Sequence, residues 1–180
     1  MSLSRTGATI TATAPGKLFI AGEYAVVTPG EPSVIVAVNR YLHVTVTGSE
    51  GAGRIHSPEY GQLPLLWTRN ADGLTIDREH HPYDYVLATI KVAERLRDEH
   101  GLPPRFFDVR IDSGLDDVSG RKFGLGSSAA VTVATARAID EFYGFGLTRL
   151  ELFKLAMLAT ITVSPSASGG DVAASTFGGW

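Results

Sequence analysis

In RKFGLGSSAAV, Arg121 to Val131, two glycines, Gly124 and Gly126, stand directly before Ser127, Ser128 and a long apolar stretch. A helix starting there exposes unpaired N–H groups and a partial positive charge, and glycines let the backbone approach a ligand with no Cβ in the way; phosphate suits such a junction. The serines add hydroxyls that can cap the helix, bond phosphate oxygens or coordinate magnesium. The spacing fits neither Walker A, which needs Gly-Lys-Ser/Thr, nor the Rossmann G-x-G-x-x-G. In APGKLFIAGEYAVV, Ala14 to Val27, Lys17 is a lone lysine in a segment too apolar for a solvated face, with Glu23 and Tyr24 downstream. In SPSASGGDVAASTFGGW, Ser164 to Trp180, Asp171 follows a loop of small residues. Taken singly, each also has a plain structural account: an ordinary helix cap, an ion pair at a strand end, and the cap of a short helix.

These residues need elements to position them. Ala8 to Ala14 and Leu18 to Ile20 are short β-prone runs. Ser33 to Val38 is almost wholly apolar, as in a strand buried on both faces, and Tyr41 to Thr47 alternates, with Asn39 and Arg40 as a turn between them. Gly48 to Gly61 and Arg69 to Gly73 are polar connections around the apolar piece Leu63 to Trp67. The period then changes. Val86, Ile90, Ala93 and Leu96 predict an amphipathic helix from Tyr83 to His100, closed by Gly101 and the Pro103-Pro104 pair. Phe107, Val109 and Ile111 predict a half-buried strand, followed by a loop from Ser113 to Gly126. Ser127 to Tyr143 has helical composition, and Thr148 with Glu151 forms a capping box opening a further helix to about Thr162. Strands followed by helices imply an α+β domain.

Composition narrows the partners. With 44% hydrophobic and 19% charged residues, the 180-residue chain can bury one sizeable core. A formal charge of −3 without a long basic run argues against nucleic acid or an anionic membrane as the main partner, so an anion site must be local. The absence of cysteine removes disulfides, thiolate metal sites and cysteine nucleophiles together. No apolar run approaches the roughly 20 residues that span a bilayer, and the chain reads as cytoplasmic.

Taken in order, the Pro15-Gly16-Lys17 segment, the GLGSSAA loop and Gly170-Asp171 resemble the GHMP kinase superfamily, which phosphorylates small metabolites with ATP. Within it, GKLFIAGEYAVVTPG, IDSGLDDVSGRKFGLGSSAAV and SASGGDVAASTFGGW are most similar to the bacterial phosphomevalonate kinase branch. Mevalonate kinases usually carry Gly-Glu-His where this chain has Gly22-Glu23-Tyr24, and Lys122-Phe123 before the glycine loop is also more like the phosphomevalonate enzymes. The resemblance runs from Thr11 to Trp180 and implies an α+β N-terminal domain like ribosomal protein S5 domain 2. It implies that Gly124, Leu125, Gly126, Ser127, Ser128 and Ala129 wrap the phosphates of ATP, with Lys122 adding charge and Ser128 beside Mg2+. Lys17 and Asp171 become the catalytic pair, and Lys17, Glu23, Tyr24, Ser168 and Gly170 face the acceptor, phosphomevalonate. That acceptor is already largely a dianion near neutral pH, its second pKa being about 6, so Asp171 is expected to fix Lys17 and orient the acceptor rather than remove a proton.

Two departures from the family pattern shape further expectations. Mevalonate kinases carry a metal-binding glutamate before the Gly-Asp segment, whereas Leu158 to Val163 holds no acid, leaving magnesium to Ser128, phosphates and water. Family members also have a C-terminal half with a third glycine-rich motif. Residues 1–180 therefore correspond to the N-terminal, ATP-binding domain alone, which in isolation is expected to expose core and show little activity. The alternatives are another branch of the family, such as a mevalonate kinase, or a nucleotide-binding fragment without turnover. A homodimer is a possible assembly.

Overall fold

The computed structural model describes residues 9–58, 61, 63–70, 73–76, 83–115 and 124–179. Its order is β1 (Thr9–Ala21), β2 (Val34–Ser49), β3 (Gly53–His56), β4 (Leu65–Asn70), β5 (Gly73–Ile76), α1 (Asp84–Glu99), β6 (Phe106–Ser113), α2 (Ser127–Tyr143), α3 (Arg149–Val163) and α4 (Gly170–Phe177), with a 3-10 turn at Ala25–Val27. The strands form one six-stranded sheet in the order β1-β2-β6-β3-β4-β5. All neighbours are antiparallel except β3 and β6, which run parallel. The mixed sheet with its helices bears out the α+β reading.

Alternation builds the core. Leu42, Val44 and Val46 of β2 and Phe107, Val109 and Ile111 of β6 point to the same buried face, joined by Ile55, Leu65 and Trp67 from the shorter strands. Against this face lies α2, whose buried Ala129, Ala130, Ala134 and Ala138 let it approach the strands closely. It contacts β1 and β2 on one side and α1, α3 and α4 on the others. This central helix carries the glycine loop at its start, so the loop's position is set by a largely buried element.

The strands depart from the sequence reading. β1 is one strand rather than two, with shifts in its pairing at Pro15/Lys17 and Phe19/Ala21. β2 also continues through Asn39 and Arg40. The expected turn is instead an irregularity in register: Pro15 pairs with Tyr41, but Lys17 already pairs with Ala37. The extra residues of β2 are absorbed as a bulge, a device that re-aims side chains beside functional sites. Ser33 to Val38 is not buried on both faces either; Val34 is exposed, and Ile35 to Val38 are half-buried. β3 lies in a segment read as a connection, and β5 starts at Gly73, where a second such segment ends. The helices follow expectation, including the reciprocal Thr148–Glu151 capping box on α3.

Candidate active site

Gly126, in the left-handed conformation at φ 74°, is the residue on which α2 begins, and no side chain caps the helix. Its first N–H groups lack intrahelical partners and its first turn holds no acid, so the helix end is open to an anion. Ser127 and Ser128 lie inside the helix rather than capping it. Gly169 likewise starts α4 at φ 83° without a side-chain cap. Both helix starts border one cleft of about 530 Å³, lined among others by Gly124, Gly126, Ser127, Ser128, Ala129, Ser168, Gly169 and Asp171.

Lys17 enters this cleft from β1. The residue is only 8% exposed, its Nζ lies 3.3 Å from Asp171 Oδ2, and it sits 4.6 Å from the centre of the Phe19 ring. The backbone fixes it as well: the Lys17 N–H donates to the Leu125 carbonyl at 2.8 Å, tying the strand to the glycine loop. The side chain crosses Gly126 so closely that a Cβ there would lie 2.8 Å from Lys17 Cγ. A Cβ on Gly124 would meet nothing within 4 Å. The two glycines thus differ: Gly126 gives the lysine stem its channel, a role additional to the close approach of ligand expected from sequence.

Among the described residues lining the cleft, Lys17 is the one cation, and Glu23 and Asp171 are the acids. No group of three or more metal-ligating His, Cys, Asp or Glu exists among the described residues. A divalent ion in the cleft would need oxygens beyond the Glu23 and Asp171 carboxylates that line it.

The structure gathers most of the expected site residues and leaves some out. Lys17, Glu23, Gly124, Gly126, Ser127, Ser128, Ala129, Ser168 and Asp171 line the cleft. Tyr24 does not; its side chain stands in solvent at 85% exposure. Leu125 contributes its carbonyl to Lys17 and packs its side chain against the core. Gly170 backs onto β2, where a Cβ would lie 2.5 Å from Ile35 Cδ1. Lys122 lies outside the described residues. Phe19, Tyr85, Ser164 and Ser166 also line the cleft and were not anticipated. The alternating serines of Ser164-Pro165-Ser166-Ala167-Ser168 offered a signal for two of them; Phe19 and Tyr85 resemble ordinary core aromatics in sequence.

Residues 84–179 match the model of the GHMP kinases N-terminal domain. A phosphomevalonate kinase from Streptomyces sp. strain CL190 is 44% identical, over 96% of this chain and 48% of that protein. A mevalonate kinase from Thermococcus gammatolerans is 31% identical, over 95% of this chain and 50% of that protein. The structure of Streptococcus pneumoniae phosphomevalonate kinase in complex with phosphomevalonate and AMPPNP superposes with a TM-score of 0.78 at 27% identity, covering 93% of this chain and 47% of that one. The chain therefore spans about half the length of the curated relatives it matches. With a matching domain over more than half its length and the glycine loop, Lys17 and Asp171 gathered at one cleft, the chain belongs to the GHMP kinase family.

Proposed function

We propose that the protein transfers the γ-phosphoryl group of ATP to 5-phosphomevalonate, giving 5-diphosphomevalonate. The observation that carries this reading is the Lys17 ammonium, 3.3 Å from Asp171 and directed into a cleft bordered by two uncapped helix starts. The higher identity to a phosphomevalonate kinase than to a mevalonate kinase supports the choice of acceptor. The cleft belongs to residues 1–180, with the remaining part of the acceptor site expected from a second domain.

Phosphoryl transfer passes through a loose transition state with charge spread over the equatorial oxygens, so the protein's work is positioning and electrostatic stabilisation. The N–H groups at the start of α2 hold the nucleotide phosphates, with Ser127 and Ser128 adding hydroxyls. Lys17 stabilises the group in flight and neutralises charge between donor and acceptor. Asp171 keeps the ammonium aimed, since an acceptor with a second pKa of about 6 is already ionised at neutral pH. Mg2+ bound with ATP would rest on Ser128 and the phosphates, where it supplies neutralisation of phosphate charge. No helix among the described residues is long and apolar enough to cross a membrane.

The test is a transfer assay of the natural full-length protein with ATP and, separately, phosphomevalonate, mevalonate, homoserine and galactose. Turnover far faster with phosphomevalonate is expected; preference for another acceptor would move the protein to that branch. Asp171→Asn should lower kcat by a nearly constant factor from about pH 7 to 9, where the acceptor stays ionised. A variant recovering steeply with rising pH would show instead that Asp171 removes a proton.

A further inference from the structure

Lys17 and Asp171 sit on elements far apart in the chain, so something must fix the distance between β1 and α4. Two contacts below the pair do so. The Ser175 hydroxyl, one helical turn beyond Asp171, donates to the Pro15 carbonyl at 2.9 Å. The Arg137 guanidinium, from α2, donates through Nη1 to the Thr13 carbonyl of β1 at 2.5 Å. Through Nη2 it reaches the carbonyls of Thr176 at 2.8 Å and Ser175 at 3.5 Å. Helix and strand thus run in opposite directions with matched spacing, because four helical residues rise about 6 Å and two strand residues about 6.6 Å.

We propose that Arg137 is a positioning residue for the reaction: it clamps the end of α4 to β1 and thereby sets Asp171 against Lys17, without touching substrate. The proposal rests on reading Lys17 and Asp171 as the catalytic pair. The last carbonyls of a helix lack partners and attract cations, yet α4 has no basic residue in its last turn. Arg137 supplies that cation from another helix. A planar fork with separated donors bonds two elements at once at less entropic cost than a lysine's compact ammonium on its flexible stem. Burial lowers the Arg137 pKa, with Arg149 adding in the same sense, so the carbonyls offset a real desolvation cost. Arg137 also lies on the helix that begins with the glycine loop, joining all three parts of the site to one rigid body.

Arg105 provides the comparator. It too donates to a backbone carbonyl, that of Phe142 at 3.0 Å, and stacks on the Phe142 ring, but at the other end of α2. In the natural full-length protein, Arg137→Met should lower kcat about 10- to 100-fold, the scale of a misplacement near 1 Å, with nucleotide affinity by calorimetry and KM for ATP within about twofold. Arg105→Met should cost similar stability and leave kcat unchanged, and Arg137→Lys should recover part of the loss. Unchanged kcat in folded Arg137→Met, equal kcat losses in both methionine variants, or nucleotide affinity falling in step with kcat would overturn the clamp. Should Arg137→Met fail to fold, Arg137→Lys decides: severalfold lower kcat at an unchanged unfolding midpoint supports the proposal, and wild-type kcat overturns it. Asp171→Asn is measured in parallel. If it keeps full activity, or the wild type transfers nothing to phosphomevalonate, the catalytic-pair reading fails and the clamp with it; if Asp171→Asn is impaired and Arg137→Met is not, the clamp alone fails.

Discussion

Lys17 and Arg69 are both cations drawn out of water by the same fold, and they are partnered in opposite ways. Arg69 is saturated. Its Nε and Nη2 grip Glu94 at 2.6 and 2.8 Å, Nη2 also donates to the Arg105 carbonyl at 2.6 Å, and its guanidinium stacks near Trp67 and Phe106 at 4.9 and 4.5 Å. Glu94 accepts further from Tyr143 at 2.9 Å and pairs with Arg97 at 3.3 Å. Lys17 has one carboxylate at 3.3 Å and an aromatic face, and the rest of its reach opens on the cleft. A charge whose partners are all internal holds elements together, whereas a charge left with open valence beside uncapped helix ends waits for a ligand. That difference separates staple from site better than burial does.

The comparison breaks if each region fails to answer in its own currency. Glu94→Ala leaves the half-buried Arg69 guanidinium without its carboxylate, although Arg97 keeps Asp98 at 2.7 Å, and should destabilise the fold by about 3 kcal/mol in denaturant unfolding, while folded molecules keep wild-type nucleotide affinity. Lys17→Met retains the stem that crosses Gly126 and removes the ammonium. It should lower kcat about 10²- to 10³-fold, the range for losing one group that stabilises the transition state. Its unfolding midpoint should scarcely move, because Asp171 is partly exposed and such a pair contributes about 0–1 kcal/mol. A Lys17→Met protein with near-normal kcat, or one that unfolds as readily as Glu94→Ala, would erase the distinction.

Local signals were legible and non-local ones were not. The start of α2 at Ser127 and the Thr148–Glu151 box follow from neighbouring residues, so both were readable. β3 was missed because Gly53 resembles a turn residue; in the fold it leaves room for the Trp67 indole, whose Nε1 would lie 2.1 Å from any Cβ there. Asn39-Arg40 resembles a turn, yet β2 stays extended across it because pairing with β1 holds on both sides of the register shift, at Ala37 and at Tyr41. At the site, Lys17 and Asp171 were legible because a lysine in an apolar run and an acid in a small-residue loop are chemically out of place. Tyr24 stands outside the cleft, since the resemblance gives its position in a motif, not the direction of its ring. Arg137 carried no signal, since an arginine on an Ala-rich helix resembles a solvated residue until α4 packs against it.

The glycine pair sharpens the contrast within the cleft. Both Gly124 and Gly126 have positive φ, at 71° and 74°, so alanine at either costs about 1–3 kcal/mol of backbone strain. Only at position 126 does the new methyl also meet the lysine stem. Gly126→Ala should therefore lower kcat severalfold more than Gly124→Ala, and Gly126→Val more again, with nucleotide affinity also reduced for the valine. Equal kcat for the two alanine variants would show that the lysine's channel is not what Gly126 provides.

Tyr143 gives the smallest and most specific test, because its effect belongs wholly to the Arg69–Glu94 cluster and depends on pH. Its hydroxyl faces Glu94 Oε1 at 2.9 Å and the Arg105 carbonyl at 3.1 Å. Burial, then the charge and hydrogen bond of Glu94, push its pKa from 10.0 up to about 12. Below pH 10 both folded and unfolded chains keep the proton, and the contribution of Tyr143 to stability is constant. Between pH 10 and about 12 the unfolded chain gains by ionising while the folded chain cannot, so that contribution declines as pH rises. Tyr143→Phe should cost about 1 kcal/mol near neutral pH, the scale of one net hydrogen bond, and leave kcat and KM unchanged. The stability gap between wild type and variant should then narrow above about pH 10, since the other tyrosines titrate alike in both proteins. Denaturant unfolding of the two proteins from about pH 8 to 11 measures that gap directly, and a gap that stays constant would remove Tyr143 from the charge network.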